Sequence, residues 1–157
     1  IPLRLVGSEM CIRDRINMVV AHPTLPLLAT AHEDSYVRMF DIYTGEQIMS
    51  VLAHGDAVTS IDIDPAGLTL VSASQDCTVR FWDIVEQSSN DSASRDTGGA
   101  GEPAGGKASA PSYSANCFQE VRAHQPKGRE GVLSVAYHPT APFVATGGAD
   151  GTVRLFG

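Results

Sequence analysis

The sequence predicts an all-β chain, a partial β-propeller of about three four-stranded blades of which the first is incomplete. Three observations predict it. Leu68 to Ala73 and Thr78 to Asp83 alternate β-branched or aromatic residues with polar ones on either side of a tight polar turn, Ser74 to Cys77, which reads as a hairpin. The same frame returns at Ala29-Thr30-Ala31-His32-Glu33-Asp34 before Tyr36 to Asp41, and at Ala145-Thr146-Gly147-Gly148-Ala149-Asp150 before Thr152 to Phe156. In every copy a hydroxyl residue (Thr30, Ser72, Thr146) precedes an Asp (34, 76, 150) by four, and an aromatic (Phe40, Trp82, Phe156) follows that Asp by six. Finally, Asp34 and Asp76 are 42 residues apart, inside the roughly 40 to 45 of a four-stranded propeller blade. Asp76 and Asp150 are 74 apart, so about 32 residues are inserted between the second and third copies.

The first copy is legible from Ile16. Ile16 to Val20 reads as a strand, His22-Pro23 as a turn, Leu27 to Ala31 and Tyr36 to Asp41 as the next two strands. Pro23, Pro65 and Pro139 each stand seven residues before the hydroxyl residue, where a turn needs no ladder N–H and a fixed φ is favourable. The second copy is complete: Gln47 to Leu52 as its outer strand, Val58 to Ile63 innermost, then the hairpin. Its inner strand carries Val58, Ile61 and Ile63 where the third has Val132, Val135 and Tyr137 and the first has Ile16, Val19 and Ala21, and these residues are expected to face neighbouring sheets.

Residues 1–15 do not fit the repeat. His54 stands 18 residues before Ser72, and the same count from Thr30 lands on Ile12, so the His is missing. The segment is either foreign to the native protein, as translated adapter sequence would be, or a divergent strand. Repeats one and two are assigned to 16–85. Ser, Gly, Ala, Asp and Pro dominate 86–116, too little apolar surface to offset the entropy of ordering, and a disordered insert is expected there. It is read equally as a phosphorylation or docking loop and as a passive spacer. The last repeat occupies 117–157, with Cys117 to Arg122 as its outer strand. Its connection from His124 to Val132 is enlarged and basic, containing Lys127 and Arg129.

A formal net charge of −7 argues against a general phosphate-backbone binder, whose affinity rests on clustered Lys and Arg. Three cysteines without CxxC or Cys/His ligand spacing indicate neither a disulfide framework nor zinc, and suit a reducing compartment. No apolar run reaches membrane-span length, and no signal-peptide core is visible. The expectation is a cytoplasmic, intracellular protein with no cofactor and no metal.

His, hydroxyl, Asp and Trp in this order, with Trp82-Asp83 closing the strand, resemble the WD-repeat β-propeller family. Within it the wording is similar to the C-terminal repeats of the striatin family, carried by Ile16 to Pro26, Ala31-His32-Glu33-Asp34, Ala53-His54 through Ser60, the Ser-Gln-Asp-Cys turn at 74–77, and the His124 loop ending in Val135-Ala136-Tyr137-His138-Pro139. The insert, and Phe40 and Phe156 in place of Trp, depart from the family pattern. The resemblance implies a non-catalytic scaffold that bridges protein phosphatase 2A subunits and kinases. It also implies further blades, a coiled coil and a calmodulin-binding segment upstream. The alternative is a generic WD-repeat adaptor, in ubiquitin ligation or G-protein signalling.

His54, Ser72 and Asp76 have the residue types of a hydrolase triad. Yet no Gly-x-Ser-x-Gly elbow is present, and the set recurs as His124, Thr146 and Asp150. A structural tetrad is therefore expected in each copy, from the Trp82 N–H through the Ser72 hydroxyl to the His54 ring, with Asp76 fixing the imidazole. Partial tetrads are expected at Thr30, Asp34 and Phe40 and at His124, Thr146, Asp150 and Phe156. Phe156 has no donor, so the third blade should be the weaker. His22, His32 and His138 read as surface turn residues rather than metal ligands, and Cys77 as a plain turn cysteine. Ser35, Asp56, Gln75, Cys77, Lys127 and Arg129 are the candidate partner-binding rim.

Overall fold

The computed structural model describes residues 14–87 and 112–157. Among the described residues eleven strands form three antiparallel sheets. β1 (Ile16–Ala21), β2 (Leu27–His32), β3 (Tyr36–Asp41) and β4 (Gln47–Leu52) make the first, in that order. β5 (Val58–Ile63), β6 (Thr69–Ser74), β7 (Thr78–Gln87) and β8 (Ser112–Arg122) make the second, and β9 (Val132–Tyr137), β10 (Val144–Gly148) and β11 (Val153–Phe156) the third. Each is a simple up-and-down sheet, and apart from β7 and β8 the neighbouring strands are joined by turns of a few residues, which suit only antiparallel pairing. The three sheets are the expected propeller blades.

Two boundaries differ from the expectation. Gln47–Leu52 pairs with Tyr36–Asp41 and completes the first sheet, so the sheet short of a strand is the third and not the first. The reason is connectivity: only five residues separate the end of β3 at Asp41 from the start of β4 at Gln47, too few to reach any other edge. The second concerns the insert. Glu86–Gln87 and Ser112–Asn116 belong to β7 and β8, which pair continuously from Thr78–Arg122 to Gln87–Ser112. The remainder of the predicted insert, 88–111, lies outside the described residues, as do 1–13.

The hairpin turns explain a recurring sequence feature. Ser35 and Cys77 have positive φ, 74° and 70°, and Gly151 takes φ 78° at the same place in the third copy. Left-handed backbone costs an L-residue about 1 kcal/mol, which glycine avoids. In all three, the preceding Asp accepts the backbone N–H two residues on, from Tyr36, Thr78 and Thr152, a side-chain mimic of a turn.

β5 packs on β1 with one face and on β9 with the other. One apolar cluster, including Ala29, Met39, Val58, Ile61 and Leu70, fills the space between the first and second sheets. Another, with Val71, Val79, Phe81, Val132, Val135 and Val144, fills the space between the second and third. Val58 and Ile61 are fully buried. Ile16 and Val19, their counterparts on β1, are 50% and 54% exposed, which corrects the expectation that they face a neighbouring sheet: among the described residues no sheet precedes β1.

Candidate functional site

The second sheet holds a complete polar chain. Strand pairing sets Leu70 opposite Trp82 and Ser72 opposite Arg80, which brings the indole edge over the serine hydroxyl. Trp82 Nε1–H donates to Ser72 Oγ at 2.9 Å, and the Ser72 hydroxyl donates to His54 Nε2 at 2.7 Å. On its other side the His54 Nδ1–H faces Asp76 Oδ2 at 3.2 Å and Thr78 Oγ1 at 3.0 Å. Asp76 also accepts the Gly55 N–H at 3.0 Å, the Thr78 N–H at 2.9 Å and the Thr78 hydroxyl at 2.6 Å. Burial opposes ionisation of Asp76, but the His54 contact, the Thr78 hydroxyl and the two backbone donors outweigh it and hold the carboxyl far below its usual range. Ser72 is completely buried and His54 and Trp82 nearly so.

The third sheet repeats the arrangement without its first link. The Thr146 hydroxyl meets His124 Nε2 at 2.9 Å, while His124 Nδ1 faces Asp150 at 3.0 Å and Thr152 Oγ1 at 3.1 Å. The Thr152 hydroxyl, with the Gln125 and Thr152 N–H groups and His124, depresses the Asp150 carboxyl in the same direction as Asp76. Gly148 is required here, because a Cβ on it would run into the His124 ring.

The first sheet reaches a similar end by another route. His32 stands on β2 at the position of Ser74 and Gly148, and its ring is fully buried. His32 Nε2 meets Thr30 Oγ1 at 2.7 Å and Nδ1 meets Asp14 Oδ2 at 2.7 Å. An imidazole from inside the sheet thus occupies the role His54 and His124 fill from the connection before the inner strand. Asp34 pairs instead with Arg38, which also contacts Asp14. Its carboxyl lies below the usual range: burial opposes this, and Arg38 and the Tyr36 N–H prevail. Asp14, His32 and Asp34 are close enough to share a cation, but the Arg38 guanidinium already contacts both carboxylates.

The expectation of surface turn histidines fails for His22 and His32, which are 7% and 0% exposed. His22 Nδ1 accepts the Thr24 and Leu25 N–H groups, leaving Nε2–H to donate to the Gly67 carbonyl of the second sheet at 2.9 Å. His138 is exposed. The sequence reading also omits Thr78 and Thr152, although a hydroxyl two residues after Asp76 and Asp150 was the available signal.

At the rim, Asp56, Gln75, Pro126, Gly128 and Arg129 surround a polar concavity of about 440 Å³. It forms where the enlarged loop before β9 crosses the β6–β7 turn. Lys127 lies beside it, bridged through its backbone to Glu130. Ser35 is half-buried, and its carbonyl accepts the Ala53 and His54 N–H groups. Cys77 is 3% exposed and offers a partner no surface, contrary to its place in the predicted rim. Gly131 lies so close over it that a Cβ there would stand 2.7 Å from the Cys77 N.

The family described as WD domain, G-beta repeat matches residues 45–83 and 115–157. The divergent first copy falls outside that match. Striatin-3 of Rattus norvegicus is 37% identical over 151 residues, covering 96% of this chain and 16% of that protein. Striatin of Mus musculus is 37% identical over 150 residues, and Striatin-4 of Mus musculus 34% identical over 142 residues, covering 96% and 90% of this chain. The chain spans about one-sixth of the length of these relatives.

Proposed function

Since the chain belongs to the WD-repeat family, and its repeats are of the striatin kind, we propose that it is a non-catalytic, cytoplasmic protein-interaction segment of a scaffold that joins protein phosphatase 2A to kinases. One observation carries the non-catalytic part. The His–hydroxyl–Asp set is built twice with near-identical distances, and each hydroxyl is buried, Ser72 at 0% and Thr146 at 1% exposed. A nucleophile must reach a substrate atom. Ser72 is shut away beneath Trp82 instead.

The contact surface is assigned to the rim around Asp56, Gln75, Lys127 and Arg129, where opposite charges flank a concavity. Aligned charge on a rim governs encounter and register more than affinity. The test is retention of purified phosphatase 2A core enzyme on the immobilised 157-residue chain. Retention that falls at least tenfold with Arg129→Glu supports the reading. No retention by the folded chain, or retention indifferent to Arg129→Glu and Asp56→Lys together, overturns it.

A further inference from the structure

The second sheet lies between the other two, and its outermost strand differs from that of the first sheet. β7 and β8 run for 10 and 11 residues, whereas β4 has six. Past Trp82 they continue as a two-stranded ribbon, Ile84 to Gln87 against Ser112 to Ala115. The ribbon is seated: Ile84, Tyr113 and Ala115 pack on the apolar cluster between the first and second sheets, and β8 touches β4.

The outer edge of this ribbon is open among the described residues, where β8 has β7 as its one neighbour. Ile84 gives its N–H to the Leu68 carbonyl on the β6 side. The alternate residues of β7, Asp83, Val85 and Gln87, therefore bond to Asn116, Ser114 and Ser112 of β8. Tyr113, Ala115 and Cys117 turn their N–H and C=O groups away from the sheet, without a backbone partner among the described residues. Native edges are usually blunted by short length, proline, lysine or an inward charge. From Ser112 to Gln119 this one has no proline and no charged residue. The carboxylates around it are one-sided in sign. Glu86 stands opposite Tyr113 and Asp83 opposite Asn116, both exposed. Burial first, then Glu86 and Asp41, raise the Tyr113 phenol above its usual range, so both carboxylates lie within electrostatic reach of that ring. Asp41, Asp83 and Glu86 have no ion-pair partner among the described residues. The single cation of β8, Arg122, closes its opposite end.

We propose that this edge takes an extended, lysine- or arginine-bearing segment of a partner protein as an added strand. Its backbone would pair with Tyr113, Ala115 and Cys117, and its cations would lie over Asp41 and Glu86 on one face and Asp83 on the other. Strand addition draws affinity from main-chain hydrogen bonds and specificity from alternate side chains. An added strand lies about 4.8 Å from β8 and about 10 Å from β7. The long stem of lysine or arginine spans that gap along apolar surface. Because the ribbon is already seated, the ordering cost falls on the peptide alone. The edge stands at the end of β7 opposite the β6–β7 turn, away from the rim concavity, so neither reading depends on the other.

The probe is a blocked decapeptide of alternating threonine and lysine, added to the full 157-residue chain and followed by amide hydrogen exchange at Tyr113, Ala115 and Cys117. The expected result is fast exchange at these amides in the free chain and exchange about tenfold slower or more with peptide. The same peptide N-methylated throughout keeps its charge, loses every backbone donor, and should not bind. Asp83→Lys combined with Glu86→Lys should weaken binding about tenfold. Ala115→Pro, which removes an outward N–H and no ladder bond, should abolish it; if that variant does not fold, the N-methylated peptide makes the same distinction. Failure of the lysine peptide to bind overturns the proposal, as does equal binding of the N-methylated peptide or of a threonine–glutamate peptide. Slow exchange at the three amides before peptide is added overturns it too, since the edge would already be taken. So does a two-chain species lost with Ala115→Pro, which would seat a second copy there.

Discussion

The second and third sheets carry the same imidazole, carboxylate and hydroxyls at nearly the same distances, yet only one is closed by an indole. In the second, Trp82 is 4% exposed and its N–H terminates on Ser72. In the third, Phe156 is half-buried and Thr146 has no aromatic donor above it. A buried hydroxyl has one proton and two acceptor sites, so the second sheet uses the Ser72 hydroxyl as a relay and the third uses Thr146 as an end. Four links polarise one another and three do so less. The polar core is therefore graded, and the grading is set by the aromatic on the third strand.

His54→Ala should cause the largest loss, about 3 kcal/mol, because it opens a cavity and strands both Ser72 and Asp76. Chemical denaturation followed by the single tryptophan measures it. Ser72→Ala comes next at about 2 kcal/mol, since the indole N–H and the His54 ring both lose their partner. Thr146→Ala should cost only about 1 kcal/mol, having one partner rather than two to orphan. Equal losses for Ser72→Ala and Thr146→Ala would break the contrast between the sheets.

Acid separates the same groups more gently. Asp76 and Asp150 are depressed in the folded chain, so on acidification the unfolded chain takes up protons first, near the ordinary Asp pKa of about 3.9. Their stabilisation is complete above that value and is lost as pH falls toward the folded pKa values. Asp76→Asn should lower stability at pH 7 and flatten its decline below about pH 4. A decline as steep as that of the parent chain would remove Asp76 from the linkage.

Much of the fold was readable because a two-residue alternation punctuated by Asp turns leaves few alternatives. Spacing alone placed Leu68–Asp83 as a hairpin and its two siblings beside it. What escaped it was ownership: Gln47–Leu52 opens a sequence repeat but completes the previous sheet, and no pattern within one repeat states which edge it joins. The site was uneven in the same way. His54, Ser72, Asp76 and Trp82 recur at fixed intervals, whereas His32 enters the first sheet two residues from Thr30, outside any interval the other copies establish. His22 looked like a turn residue because its partner, the Gly67 carbonyl, is contributed by another sheet and is invisible to local reasoning. Cys77 was misplaced for a related reason, since Gly131, which covers it, lies 54 residues away.

The most direct measurement is hydrogen exchange at the indole of Trp82, the chain's one tryptophan, followed as a single side-chain N–H resonance. A structural relay predicts slow exchange in the parent chain, at least a hundredfold faster exchange in Ser72→Ala, and no change in Thr146→Ala. Fast exchange in the folded parent chain, or protection indifferent to Ser72, would contradict it.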